Sequence, residues 1–343
     1  MRFAFLFPLA AIALSQSSAD KAVELASQGK LEQAEVILAE LERAAPQDPD
    51  IEYRFGLVLL KRGKLDQARQ RLESAARLNS QSPFVWRALG LLHDTLGKAE
   101  AARNDLSAAV KDFQAAIRLD PEHCPYYLDL SQLFLDHDTP EPAEIVLGNA
   151  VQRCAGNADV ERMLGLAYYA QGKNQQALDA FLSAIDASPD EESFYATLQV
   201  LLTDAQPRLP EIIEKLRKFS ERHPESPIGH YLLALVLPSD SARLLQQAIR
   251  AAPDFWPAWF ELAKLEKTQE KWPEAAAALK KTVALQPNYA PAHYLLAEYY
   301  NRTGDRARAV EERELHHKLL NEQRLAAEKQ RAQTPRLAYT VEP

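Results

Sequence analysis

The sequence predicts an all-α solenoid of about nine antiparallel helix pairs, closed by a C-terminal capping helix. Two independent sets of punctuation carry this expectation. Gly29, Gly63 and Gly97 are spaced by 34 residues each; after an insertion of seven, Asp138 and Gly172 continue the step, and Gly304 falls into phase near the end. Helix-terminating positions follow the same beat: Pro46, Ser80, Pro121, Ala155, Pro189, Pro224, Pro253 and Pro287 are separated by 34, 41, 34, 34, 35, 29 and 34 residues. A fixed step of this size is the mark of a repeat array.

Each period holds two amphipathic helices. In the stretch from Ala158 to Pro189, Leu164, Gly165 and Tyr168 lie three or four residues apart on one helical face. Gly172-Lys173 turns the chain, and Ala177, Phe181 and Ala184 form the inner stripe of the second helix. Small residues at Gly165 and Ala177 allow close approach of the two helices, with Phe181 filling the space beside them. One such hairpin cannot bury its apolar face alone, so stacking on neighbours is obligatory.

The same order recurs at Trp86, Leu89, Gly90, His93, Ala109, Phe113, Ala116 and Pro121, and at Trp259, Leu262, Ala263, Trp272, Ala275, Leu279 and Pro287. It returns at His293, Leu296, Ala297, Tyr300, Gly304 and Ala309. This pattern resembles the tetratricopeptide repeat over nearly all of the chain after the N-terminal segment. The resemblance implies a right-handed superhelix. Copies begin near residues 15, 49, 83, 124, 158, 192, 226, 256 and 290.

Three departures are expected to disturb the array. Seven residues, 98–104, are inserted after Gly97 and add about two helical turns. The proline-rich Gln206-Pro207-Arg208-Leu209-Pro210 replaces a glycine turn and makes an irregular hairpin. The following copy lacks five residues, and Leu237-Pro238-Ser239-Asp240 joins its helices.

The ends read differently. Arg2 precedes an apolar run from Phe3 to Leu14, followed by small polar residues to Ala19. The run is too short to span a bilayer, which takes about 20 residues, and it fits a signal peptide over residues 1–19, cleaved after Ser15 or Ala19. A buried N-terminal helix is the alternative. The array runs from 20 to 304 and continues to about 320. Residues 305–331 form a highly charged helix, a polar cap or a coiled-coil partner, and 332–343 form a disordered tail.

Composition excludes some functions. The formal charge is -8 with acidic and basic residues interspersed, so the footprint of a nucleic-acid binder is missing. Eight of the eleven glycines already turn or pack helices, Gly97 being read as a turn glycine, and none forms a phosphate-cradling loop. No Gly-flanked serine elbow or His-Glu-x-x-His occurs. His93 and His293 read as packing residues and His316-His317 as part of a solvated cap. His123, Cys124 and Cys154 lack zinc-ligand spacing. No catalytic residue, cofactor or metal is expected, and no membrane span in the mature chain.

The resemblance implies that the first helix of each pair lines a groove where an unidentified protein or peptide binds. One position per copy can be followed: Tyr53, Arg87, Leu128, Arg162, Ala196, Tyr231, Phe260 and Tyr294. Neighbouring candidates are Asp94, Asp136, Asp159, Tyr169, Lys264 and Glu298. Several of these positions can instead pack between repeats. The family's Lys/Asn clamp for terminal carboxylates is incomplete here, because the groove Asn is missing. The expected function is a noncatalytic protein-binding scaffold of the cell envelope or exterior; the alternative is an accessory subunit of an envelope enzyme or export machine.

Cys124 opens the first helix of its copy and Cys154 ends the second. A hairpin turning near Asp138 brings these ends together, which predicts a disulfide in an oxidising compartment. Two buried free thiols are the alternative.

Overall fold

In the computed structural model, residues 7–100, 103–202, 205 and 208–333 are described, with side chains for 17–97, 106–202, 205 and 208–329. Residues 1–6 of the expected signal segment and residues 334–343 of the tail lie outside this range. The described residues form eighteen α-helices and no strand. They pair in chain order: α1 Phe7–Ser27 with α2 Leu31–Ala44, α3 Pro49–Lys61 with α4 Leu65–Leu78, α5 Pro83–Glu100 with α6 Arg103–Leu119, and α7 Cys124–Asp136 with α8 Pro140–Arg153. Then follow α9 Ala158–Ala170 with α10 Asn174–Ala187, α11 Glu192–Leu198 with α12 Leu209–Arg222, and α13 Pro227–Val236 with α14 Ser241–Ala251. The last pairs are α15 Trp256–Thr268 with α16 Trp272–Leu285, and α17 Ala290–Arg302 with α18 Arg306–Gln333. Two compact units result, one reaching to Ala155 and one starting at Gly156.

Six of the hairpin turns share one backbone solution, with positive φ at Gly29, Gly63, Asp138, Gly172, Glu270 and Gly304. At Gly172 (φ 71°) the chain turns left-handed, and the amides of Gly172 and Lys173 donate to the carbonyls of Tyr169 and Tyr168. These bonds cap the last carbonyls of the helix. Asp138 (φ 52°) and Glu270 (φ 59°) hold the same position, with amides 139 and 271 donating to the carbonyls of Phe134 and Glu266. Asp138 follows the expected phase, and Glu270 lies one 34-residue step before Gly304.

A second recurring bond fixes the start of several pairs. Trp86 Nε1 donates to the Ser80 carbonyl at 2.9 Å, the Tyr127 and Tyr195 hydroxyls donate to Pro121 and Pro189 at 2.9 Å, and Trp259 Nε1 donates to Pro253 at 3.0 Å. Each aromatic donor ties a first helix to the loop six residues before it. Successive second helices are also linked by charge pairs 29 residues apart: Glu35 with Lys64, Glu42 with Arg71, Asp179 with Arg208, and Asp186 with Lys215. These pairs are too solvated to add much stability; they mark the stacking register.

Gly97 is a correction. It lies inside α5, because the inserted residues carry that helix on to Glu100. A Cβ at Gly97 would run into the Leu106 side chain, so its absence serves close packing, not a turn. The insertion lengthens α5 and α6 to 18 and 17 residues, against 13 and 14 in α3 and α4. Gln206 and Pro207 of the expected irregular hairpin lie outside the described residues; before them, α11 has only 7 residues and runs into a 3-10 turn at Gln199–Leu201. The short copy has helices of 10 and 11 residues. Both expected cleavage points fall within α1, whose Ala19 and Ala22 are buried.

Candidate functional site

The side chains that meet in the C-terminal unit form a hollow between α15, α17 and α18. Phe260, Lys264, Lys267 and Thr268 project from one face of α15, at the spacing that aligns side chains on a helix. Pro291, Tyr294 and Leu295 do the same from α17, and His316 of α18 makes the remaining wall. They border an open hollow of about 720 Å³. Phe260 is held from behind: its ring meets Tyr289 edge-on at 4.9 Å, and Tyr289 also contacts Trp256 at 4.5 Å. Tyr294 stays 54% exposed, with its ring 5.4 Å from that of His316.

Two ammonium groups edge this apolar surface. Lys264 lies over the Phe260 ring at 5.6 Å and donates to Glu261 at 2.7 Å. Lys267 donates to Glu298 of α17 at 2.6 Å. No acidic residue lines the hollow itself among the described residues. The arrangement suits holding an apolar or aromatic side chain beside a polar group. Among the described residues no group of three His, Cys, Asp or Glu is placed to hold a metal.

Other expected groove positions fare differently. Arg87 of α5 is engaged across the stack: its Nε donates to Asp129 Oδ2 of α7 at 2.5 Å. That hydrogen bond raises the guanidinium pKa above its ordinary value against the cost of burial. Tyr53 and Leu128 are half-buried beside this link, and burial raises the Tyr53 phenol. Asp94 is half-buried, while Asp136 is exposed and accepts a bond from Gln132. In the C-terminal unit, Arg162 is half-buried 3.9 Å from Asp159, Ala196 is exposed, and Tyr169 is 42% exposed. Tyr231 is core. It is 4% exposed, its ring packs edge-on against Phe255, Gln199 donates to its hydroxyl at 3.1 Å, and burial pushes its phenol up to about 12.

The structure thus gathers Phe260, Lys264 and Tyr294 at one hollow, with Glu298 bonded to its rim. Lys267, Thr268, Pro291, Leu295, His316 and the Asp129 partner of Arg87 were not among the expected site residues. Lys267 follows Lys264 by three residues on the same helix, a signal that was available. His316 had none, since it arrives from the second helix of its pair. It is not a solvated cap residue: it is half-buried, and its Nδ1 donates to the Ala290 carbonyl at 2.9 Å.

At the other site of interest, Cys124 and Cys154 stand at disulfide distance, with Cα atoms 5.9 Å apart.

Models of the tetratricopeptide repeat match residues 25–92, 128–192 and 260–314, together more than half of the chain. The chain belongs to the tetratricopeptide-repeat family. Its fold is similar to that of the C-terminal part of a TPR repeat-containing protein from Cytophaga hutchinsonii, at 18% identity over 81% of this chain and 99% of that one, with a TM-score of 0.52. Yeast Tom70 is similar at 15% identity over 93% of this chain and 88% of that one, with a TM-score of 0.51. At these identities the likeness is one of fold alone. No curated protein matches the chain significantly. Tetratricopeptide repeats generally serve as protein-interaction scaffolds, and no described helix here is long and apolar enough to cross a membrane.

Proposed function

We propose that this tetratricopeptide protein is a noncatalytic scaffold of the cell envelope or exterior, which binds a partner chain on its first-helix face. The observation that carries the reading is the hollow of Phe260, Lys264, Tyr294 and His316, where an exposed tyrosine and an apolar floor await an anchor side chain. Exposed aromatic residues in a concave setting are the usual hot spots of interfaces. Export is supported by the apolar N-terminal run and by cysteines placed to bond in an oxidising compartment. Cleavage after Ser15 is favoured over Ala19, since it keeps buried Ala19 in the mature helix.

The test is co-purification from the envelope with the unaltered protein and with Tyr294→Ala. A partner retained by the first and lost by the second, while the helical content and melting point of both agree, supports the reading. A partner held equally by both overturns it. N-terminal sequencing of protein from the exporting cell is expected to begin at Gln16; an intact Met1 rejects export by this route.

A further inference from the structure

His293 has two hydrogen-bond partners that, with Glu312 ionised, together require two ring protons. The residue is 4% exposed in α17 and occupies the position where Trp86, Tyr127, Tyr195 and Trp259 donate to the carbonyl six residues back. Its Nε2 lies 2.8 Å from the Pro287 carbonyl, the same bond in the last pair. A carbonyl only accepts, so Nε2 carries hydrogen. Nδ1 lies 2.7 Å from Oε2 of Glu312 on α18, and a carboxylate also only accepts. A neutral imidazole has a single N–H and can meet only one of these partners.

The surroundings leave Glu312 as the counter-charge. From α16 the core around this layer is made by Ala278 and Leu279. On the helices of this layer, Lys280 lies over the Tyr300 ring, Arg308 pairs with Asp305, Glu298 with Lys267, and Arg302 lies over Trp272. His93 offers an internal comparison. Its Nδ1 is 2.7 Å from Asp112, and among the described residues its other nitrogen meets no carbonyl, so one proton suffices there.

We infer that His293 is a doubly protonated clasp holding α18, and that proton loss as pH rises loosens that helix and removes the His316 wall from the hollow. The regulatory part rests on reading the hollow as the partner site; the clasp itself does not. The docked helix is held by the Glu312 contact, the bond from His316 to Ala290 and buried Leu319. Docked, the pair binds one proton more than a free neutral ring with an ionised carboxylate. Raising pH therefore weakens docking and lowering it strengthens it.

Nitrogen NMR of the histidine rings in the full chain near neutral pH tests the clasp without any ligand. The expected result is two protonated nitrogens on His293 and one on His93; a single protonated nitrogen on His293 overturns the proposal. Hydrogen exchange then reads the consequence. After correction for intrinsic exchange, protection of α18 amides up to Leu319 should fall as pH rises in the unaltered chain, and this dependence should vanish in Glu312→Gln. Equal pH dependence in both chains overturns the clasp, and if Glu312→Gln fails to fold the ring spectrum of the unaltered chain decides. Failure to find a partner at Tyr294 would sink the function proposed above and leave these measurements unchanged.

Discussion

The Phe181 ring lies across Gly165 so closely that a methyl group there would collide with it, and would press on the Ala177 carbonyl as well. Gly165→Ala is expected to destabilise by about 1–3 kcal/mol, the usual cost of overpacking a close helix contact. Gly148 supplies the control: it sits exposed within α8, and a Cβ there meets nothing within 4 Å. Gly148→Ala should stabilise by about 0.5–1 kcal/mol, through lost freedom of the unfolded chain. Urea denaturation of both variants checks the pair, and equal effects would contradict the packing argument.

Joining Cys124 to Cys154 closes a loop of 30 residues across the α7–α8 hairpin. The chain-entropy model gives about 3–4 kcal/mol for a loop of this size. Cys154→Ser, or reduction, should therefore lower the denaturation midpoint. Thiol titration of denatured, unreduced protein is expected to find no free thiol, and two free thiols would reject the bridge.

The repeat period was legible because glycine and proline act locally on the backbone. Asp138 could be placed in a left-handed turn from phase alone. Glu270 holds the same turn one 34-residue step before Gly304, but glutamate itself carries no turn signal, so the position is legible only by counting back from Gly304. Gly97 misled: its spacing is regular, yet the inserted residues let the helix run through it. The site shows the same division. Phe260 and Lys264 are one helical turn apart and Tyr294 follows one repeat later, so local periodicity finds them. The pairing of Arg87 with Asp129, 42 residues on, and the arrival of His316 from α18 depend on how helices stack. Tyr231 follows the groove periodicity, but the short α13 packs its ring into the core.

Burial without a counter-charge raises the pKa of the Glu161 carboxyl on α9. A carboxyl raised in the folded state binds its proton more tightly there, so the fold gains stability as pH falls through the raised value and loses it as pH rises. Glu161→Gln keeps the shape and removes the charge. It should raise the melting temperature near neutral pH, and the advantage should shrink on acidification through the ordinary carboxylate range. A gain that is independent of pH would point to packing instead of desolvation.

Tyr294 and Tyr231 follow the same periodicity but are expected to fail in opposite ways. Tyr294 is 54% exposed at the hollow, so its truncation removes contact surface and leaves the core whole. Tyr294→Ala should cost about 1–3 kcal/mol of partner binding with little change in stability. Tyr231 is 4% exposed among α13 and its neighbours, and its ring is part of what holds them together. Tyr231→Ala should cost about 3–5 kcal/mol of stability, the range for a buried aromatic cut to alanine. Denaturation midpoints and partner affinity measured on both variants separate the roles. If Tyr294→Ala lost fold and binding together, the hollow would be core surface and the binding site would lie elsewhere on the chain.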